Sequence, residues 1–122
     1  MATADDVFRL NPIVHELARQ LFALVNQEAP SDDEWTNVFL DVRFDGKGGF
    51  SSKIRATLTS GKIISLLTPT ELTHQLLSLE SARPAGKDRW FGCVLTVTAA
   101  GECEMKMNYD PNCAEDPAFF ES

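Results

Sequence analysis

Histidine, positive charge, paired cysteines and long apolar runs are all scarce in this chain, and each shortage excludes a class of function. The two histidines, His15 and His74, fall on separate predicted helices, with no cysteine, histidine or carboxylate at the spacing a metal site shows within one element. The three cysteines, Cys93, Cys103 and Cys113, form no CxxC and none stands beside a helix opening, so reduced thiols without catalytic duty are expected. Cys93 and Cys103 are expected to act as small hydrophobes on the buried face of a hairpin. With 11 Lys and Arg against 18 Asp and Glu, the net charge is −7. That balance argues against direct nucleic-acid binding, because phosphate contacts require clustered cations. The apolar runs are too short to span a bilayer, so no membrane partner is assigned. The opening MATADDVFRL carries acids where a secretory leader carries positive charge, and the expected location is the cytoplasm.

Catalytic signatures are equally thin. GxSxG does not occur, and Gly46-Lys47-Gly48-Gly49 lies between two predicted strands, whereas a phosphate-binding loop opens a helix. Carboxylate pairs abound at Asp5-Asp6, Asp32-Asp33-Glu34 and Glu115-Asp116, but in predicted loops and tails where solvated groups keep ordinary acidity. General acid–base chemistry needs a sheltered group. No catalytic residue, metal ligand or cofactor is therefore assigned, and the chain is expected not to be an enzyme.

What is present is a regular pattern. The 122 residues suit one domain, and folding at this length buries roughly two-thirds of the unfolded surface. Residues 1–9 read as a frayed start. Leu10, Ile13, Val14, Leu17, Leu21, Leu24 and Val25 then recur at helical spacing, with Asn11 as the expected cap, Pro12 in the first turn and Ala29-Pro30-Ser31 as the stop. From Trp35 the period becomes two: Val38, Leu40, Val42 and Phe44 alternate with Phe39, Asp41 and Arg43. After a turn at Asp45 to Gly49, Ile54, Ala56 and Leu58 form a second strand; pairing Phe44 with Phe50 sets Asp41 against Lys53 as an exposed ion pair. Ser60-Gly61 reads as a two-residue turn, placing Ile63 opposite Leu58 in a third strand from Lys62 to Leu67.

Thr68-Pro69-Thr70-Glu71 has the form of a capping box opening a second helix, with Leu72, Leu76 and Leu79 on its stripe and Arg83-Pro84-Ala85-Gly86 at its end. The final hairpin alternates Phe91, Cys93, Leu95 and Val97 with polar positions, and likewise Cys103, Met105, Met107 and Tyr109. A three-residue loop, Ala99-Ala100-Gly101, opposes Leu95 to Met105 and Val97 to Cys103, keeping the apolar members on one face. Residues 112–122 show no periodicity. The fold class is thus α+β, one domain over residues 1–122 in the order α-β-β-β-α-β-β, an antiparallel sheet with helices packed on it.

Glu34-Trp35 leading into a strand, the meander, the linking helix, Trp90 ahead of Cys93-Val94-Leu95-Thr96-Val97 and the ending Asn108-Tyr109-Asp110 resemble the YezG-like antitoxin and immunity proteins. The similarity runs from Trp35 to Asp116. It implies an immunity protein that binds and neutralises a cognate secreted toxin domain, a basic nuclease in the expected case, including toxins of contact-dependent growth inhibition. The protein is expected to be a monomer before binding. Glu102, Glu104, Asp110, Glu115 and Asp116 form the candidate toxin-binding patch, the alternative being a solvated strand face and tail. A different function, an acidic chaperone of a bacterial secretion system, shares a similar element order.

Overall fold

The period-two run from Trp35 to Phe44 becomes the central strand of the molecule, paired on both sides. The computed structural model describes residues 4–44, 49–83 and 89–113, residues 4–11 by backbone alone. Helix α1 (Ala4–Glu28) leads into strands β1 (Trp35–Phe44), β2 (Phe50–Leu58) and β3 (Ile63–Leu66), then helix α2 (Thr70–Ser81), then β4 (Gly92–Thr98) and β5 (Cys103–Asn108). The strands form one antiparallel sheet in the order β3-β2-β1-β4-β5. This is the expected α+β domain. No helix among the described residues is long and apolar enough to cross a membrane.

Alternation makes the core one-sided. Val38, Leu40, Val42 and Phe44 of β1, Ile54, Ala56 and Leu58 of β2, and Cys93, Leu95 and Val97 of β4 are buried with Leu17, Leu21 and Val25 of α1 and Leu72, Leu76 and Leu79 of α2. Each fully buried aliphatic side chain contributes roughly 1.5–3 kcal/mol. Both tryptophans are anchors. Trp35 meets Phe22 edge to face at 5.3 Å between ring centroids and donates from Nε1 to Asn26 Oδ1 at 2.8 Å, fixing α1 to the start of β1. Trp90 stands edge-on to Phe44 at 5.3 Å, and beside them the buried Arg83 places its guanidinium 4.6 Å from the Phe44 centroid while donating from Nε to the Trp90 carbonyl at 2.9 Å. The end of α2 is thereby clipped to the entrance of β4.

Several local expectations are corrected. The first helix begins at Ala4, ahead of the expected opening, and carries Pro12 inside it, so Asn11 is no cap. The capping box does not form either: Pro69 is the N-cap and no side chain caps α2, because the Thr68 hydroxyl meets Ser52 Oγ at 3.1 Å instead. The β2–β3 loop has three residues. Leu58 N–H donates to Lys62 O and Gly61 N–H to Leu58 O, with Gly61 at φ +92°, so Ile63 opposes Thr57, not Leu58. That one-residue difference turns Ile64 and Leu66 toward the helices and leaves Ile63 62% exposed on the other face.

The β4–β5 hairpin has the same construction and is as expected. Thr98 N–H donates to Glu102 O, Gly101 N–H to Thr98 O, Gly101 lies at φ +93°, and Leu95 opposes Met105 and Val97 opposes Cys103. Its outer strand is less covered than alternation implied. Met105 and Met107 are half-buried while Cys103 and Tyr109 are exposed, because β5 is a terminal strand beyond the reach of the helices. The turn at Asp45 to Gly48 and the segments at Pro84 to Gly86 and beyond Cys113 lie outside the described residues.

Leu40→Ala, at the centre of β1, is expected to lower the unfolding free energy by about 2–5 kcal/mol, and Gly101→Ala by roughly 1–2 kcal/mol because alanine resists a positive φ. Ser51→Ala, on the exposed start of β2, should stay within about 0.5 kcal/mol. Equilibrium unfolding in urea measures all three.

Candidate functional site: the open face of the sheet

Both helices cover one side of the sheet, and among the described residues no element covers the other. Register places its side chains in rows across the strands: Ile63, Thr57, Asn37 and Thr98; then Ser65, Arg55, Phe39, Thr96 and Glu104; then Lys53, Asp41, Val94 and Lys106. Near the centre lies a shallow concavity of about 310 Å³ lined by Phe39, Asp41, Lys53, Arg55, Thr57, Ile63 and Val94. Phe39, Val94 and Ile63 supply apolar surface, and the stems of Lys53 and Arg55 extend it. Alternation places Phe39, Asp41, Lys53, Arg55, Thr57 and Val94 outward, whereas Ile63 is expected on the core side opposite Leu58 and lies here instead.

The charges on this face oppose the charge of the chain. Arg43, Lys53, Arg55 and Lys106 outnumber Asp41, Glu102 and Glu104 here by four to three, although the whole protein carries −7. Asp41 and Lys53 are register partners as expected. The Asp41 carboxylate, however, accepts from Arg43, from Nε at 2.8 Å and Nη2 at 3.1 Å, because the two side chains share a face two residues apart on one strand. Arg43 also donates from Nη1 to the Cys113 carbonyl at 2.9 Å. Cys113 is buried against Gly92, where an added Cβ would lie 2.8 Å from Val42 O and 3.1 Å from Cys113 Sγ. The chain leaving β5 is thereby folded inward over β4 and β1, closing one end of the open face.

The candidate acidic residues are only partly gathered. Glu102, just before β5, and Glu104 within it stand exposed on one face, as expected, beside Thr98 and Thr96. Asp110 lies past the other end of that strand, on the order of 25 Å away at the rise of an extended chain, with Lys106 between. Its carboxylate accepts from the Asn112 N–H at 3.0 Å and shapes the turn that brings Cys113 back. Glu115 and Asp116 lie outside the described residues.

His15 and His74 are both exposed, and no group of three or more His, Cys, Asp and Glu among the described residues is placed to hold a metal ion. Burial, with a smaller contribution from the Asp41 charge, pushes the Cys93 thiol up from 9.0 to about 12. Burial also raises Cys113. Cys103, expected inside, is the exposed cysteine, at the loop end of the terminal strand β5.

In dilute solution one thiol, Cys103, should react rapidly with a thiol reagent, and Cys103→Ser should abolish that phase; Cys93 should react only on unfolding. Because Cys93 stays protonated in the folded state while the unfolded chain ionises above pH 9, its contribution to stability is intact below pH 9 and falls as pH rises from 9 toward 12. Urea unfolding of the parent and of Cys93→Ala across that range measures the difference. Compared with known proteins, the chain matches no family model and no curated protein, so its function is read from this geometry.

Proposed function

We propose that this chain is a non-catalytic binding domain that docks another protein on the open face of its sheet, and that it serves as an immunity protein, holding a secreted toxin domain inactive. The observation that carries the reading is the apolar centre formed by the half-buried Phe39 and Val94 and the exposed Ile63, framed by Arg55, Lys53 and Asp41. Aromatic and arginine side chains surrounded by polar groups are the usual composition of the tightly bound centre of a protein interface. A rigid sheet presents them without an ordering cost, since β1 is paired on both sides.

The charges fit a partner of mixed surface. Arg55 suits an acceptor on the opposing protein, whereas Glu102 and Asp110 at the margins attract a basic one and raise its association rate. A basic nuclease domain suits the margins, because a site that attracts phosphate also attracts carboxylates. The resemblance to YezG-like immunity proteins supports the same reading.

Adding the purified chain to the toxin domain encoded beside it should abolish the toxin's activity near equimolar ratio. Phe39→Ala and Arg55→Ala should each weaken the complex by about 2 kcal/mol or more, a loss seen in the dissociation rate. Glu102→Lys with Asp110→Lys should slow association and flatten its salt dependence with little change in dissociation. Full toxin activity in the presence of excess chain would reject the immunity role, and unchanged binding by the Phe39 and Arg55 variants would remove the open face from it.

A further inference from the structure

Strand β5 ends the sheet, and its outer edge is built to match a second copy of itself. The hydrogen-bond phase of the last hairpin follows from two contacts: Thr98 N–H donates to Glu102 O, and Leu95 opposes Met105 in the register that continues from it. In an antiparallel ladder, residues alternate between those that bond to the neighbouring strand and those that do not. Glu102, Glu104, Lys106 and Asn108 therefore turn their backbone groups toward β4. Cys103, Met105 and Met107 turn theirs outward, with no strand beyond them among the described residues.

An open edge of this kind normally carries a protective device, such as brevity, proline or charges of one sign. The opposite edge has them, since β3 is only four residues long and is followed by Pro69. β5 has six residues, no proline and one charge of each sign, Glu104 and Lys106. The described part of the segment after it, up to Cys113, does not cover the edge, because Cys113 is held inward against Gly92 and Arg43.

We infer that two copies of this chain pair antiparallel through β5, about a two-fold axis at Met105, joining their sheets into one. The outward backbone groups permit only registers in which odd-numbered residues face one another. With Met105 opposite its own counterpart, Cys103 faces Met107, and each of these pairs exchanges both backbone hydrogen bonds. On the open face the same register sets Glu104 opposite Lys106 in both directions. Shifting by one permitted step in either direction opposes Glu104 to Glu104 or Lys106 to Lys106, so charge selects a single register. On the helix side, the half-exposed Met105 and Met107 and the exposed Cys103 are brought together and covered. The inference stands apart from the proposed toxin binding, and it replaces the expectation of a monomer with a dimer.

Light scattering and sedimentation of the full chain over a concentration series provide the test. The parent protein should reach a dimeric mass, and Glu104→Lys and Lys106→Glu should each raise the dimer dissociation constant on the order of tenfold or more, because each opposes like charges twice. Mixing the two variants should restore dimerisation, since the mixed pair opposes opposite charges again. Circular dichroism confirms that each variant is folded. Oxidised Met105→Cys should form a covalent dimer, the opposed Cα atoms lying about 5.5 Å apart, within disulfide range. Parent chains should not cross-link through Cys103, whose counterpart lies several residues along the strand. A parent that stays monomeric at all concentrations, single charge variants that dimerise as the parent does, or efficient cross-linking through Cys103 would each overturn the inference.

Discussion

One-sided burial of β1 is the constraint on which the rest of the structure depends. Hydrogen-bonded to β2 on one side and β4 on the other, this strand puts Val38, Leu40, Val42 and Phe44 under the helices and Phe39, Asp41 and Arg43 on the opposite face. A slip of one residue would exchange these sets, exposing the aliphatic row and burying two charges, so the register of three strands is held by a single alternation. The same alternation creates the open face. Its composition is the complement of the core, displayed across β2, β1 and β4.

The electrostatic arrangement follows from that division. An acidic chain places much of its negative charge on loops and helix surfaces, while the open face carries Arg43, Lys53, Arg55 and Lys106. Arg43 is more than a surface charge. By holding Asp41 and the Cys113 carbonyl together it ties the central strand to the segment after β5, and Gly92 makes room for that segment by having no side chain. The outward face thus has an organised border at one end and, among the described residues, an apolar centre without a covering element.

The two edges of the sheet differ for reasons visible in their hairpins. Both use three-residue loops closed by a glycine at positive φ, Gly61 and Gly101, and both bond the residue after the loop back to the preceding strand. β3 soon gives way to Pro69 and α2, whereas β5 continues through alternating Met and charged residues. The exposed edge of β5 and the open face are adjoining surfaces, so self-pairing extends the face without covering its centre.

Element order, the apolar stripes of α1 and α2, the inward sets of β1, β2 and β4 and the last hairpin's register were legible in the sequence, because period and turn chemistry are local properties of the chain. Less legible were features that depend on competition between local preferences and contacts from elsewhere. Thr68 forgoes its cap for Ser52, Pro12 is carried inside a helix, and Asp41 accepts from Arg43 two residues along its own strand. Cys103 has the sequence signature of a core residue and lies exposed, since alternation states which side a residue takes and not whether anything covers that side. The sequence by itself determined which residues turn inward, through the period of each segment. Only the tertiary structure decided which face the helices leave uncovered and which strand ends the sheet, because both depend on the order in which distant segments pair.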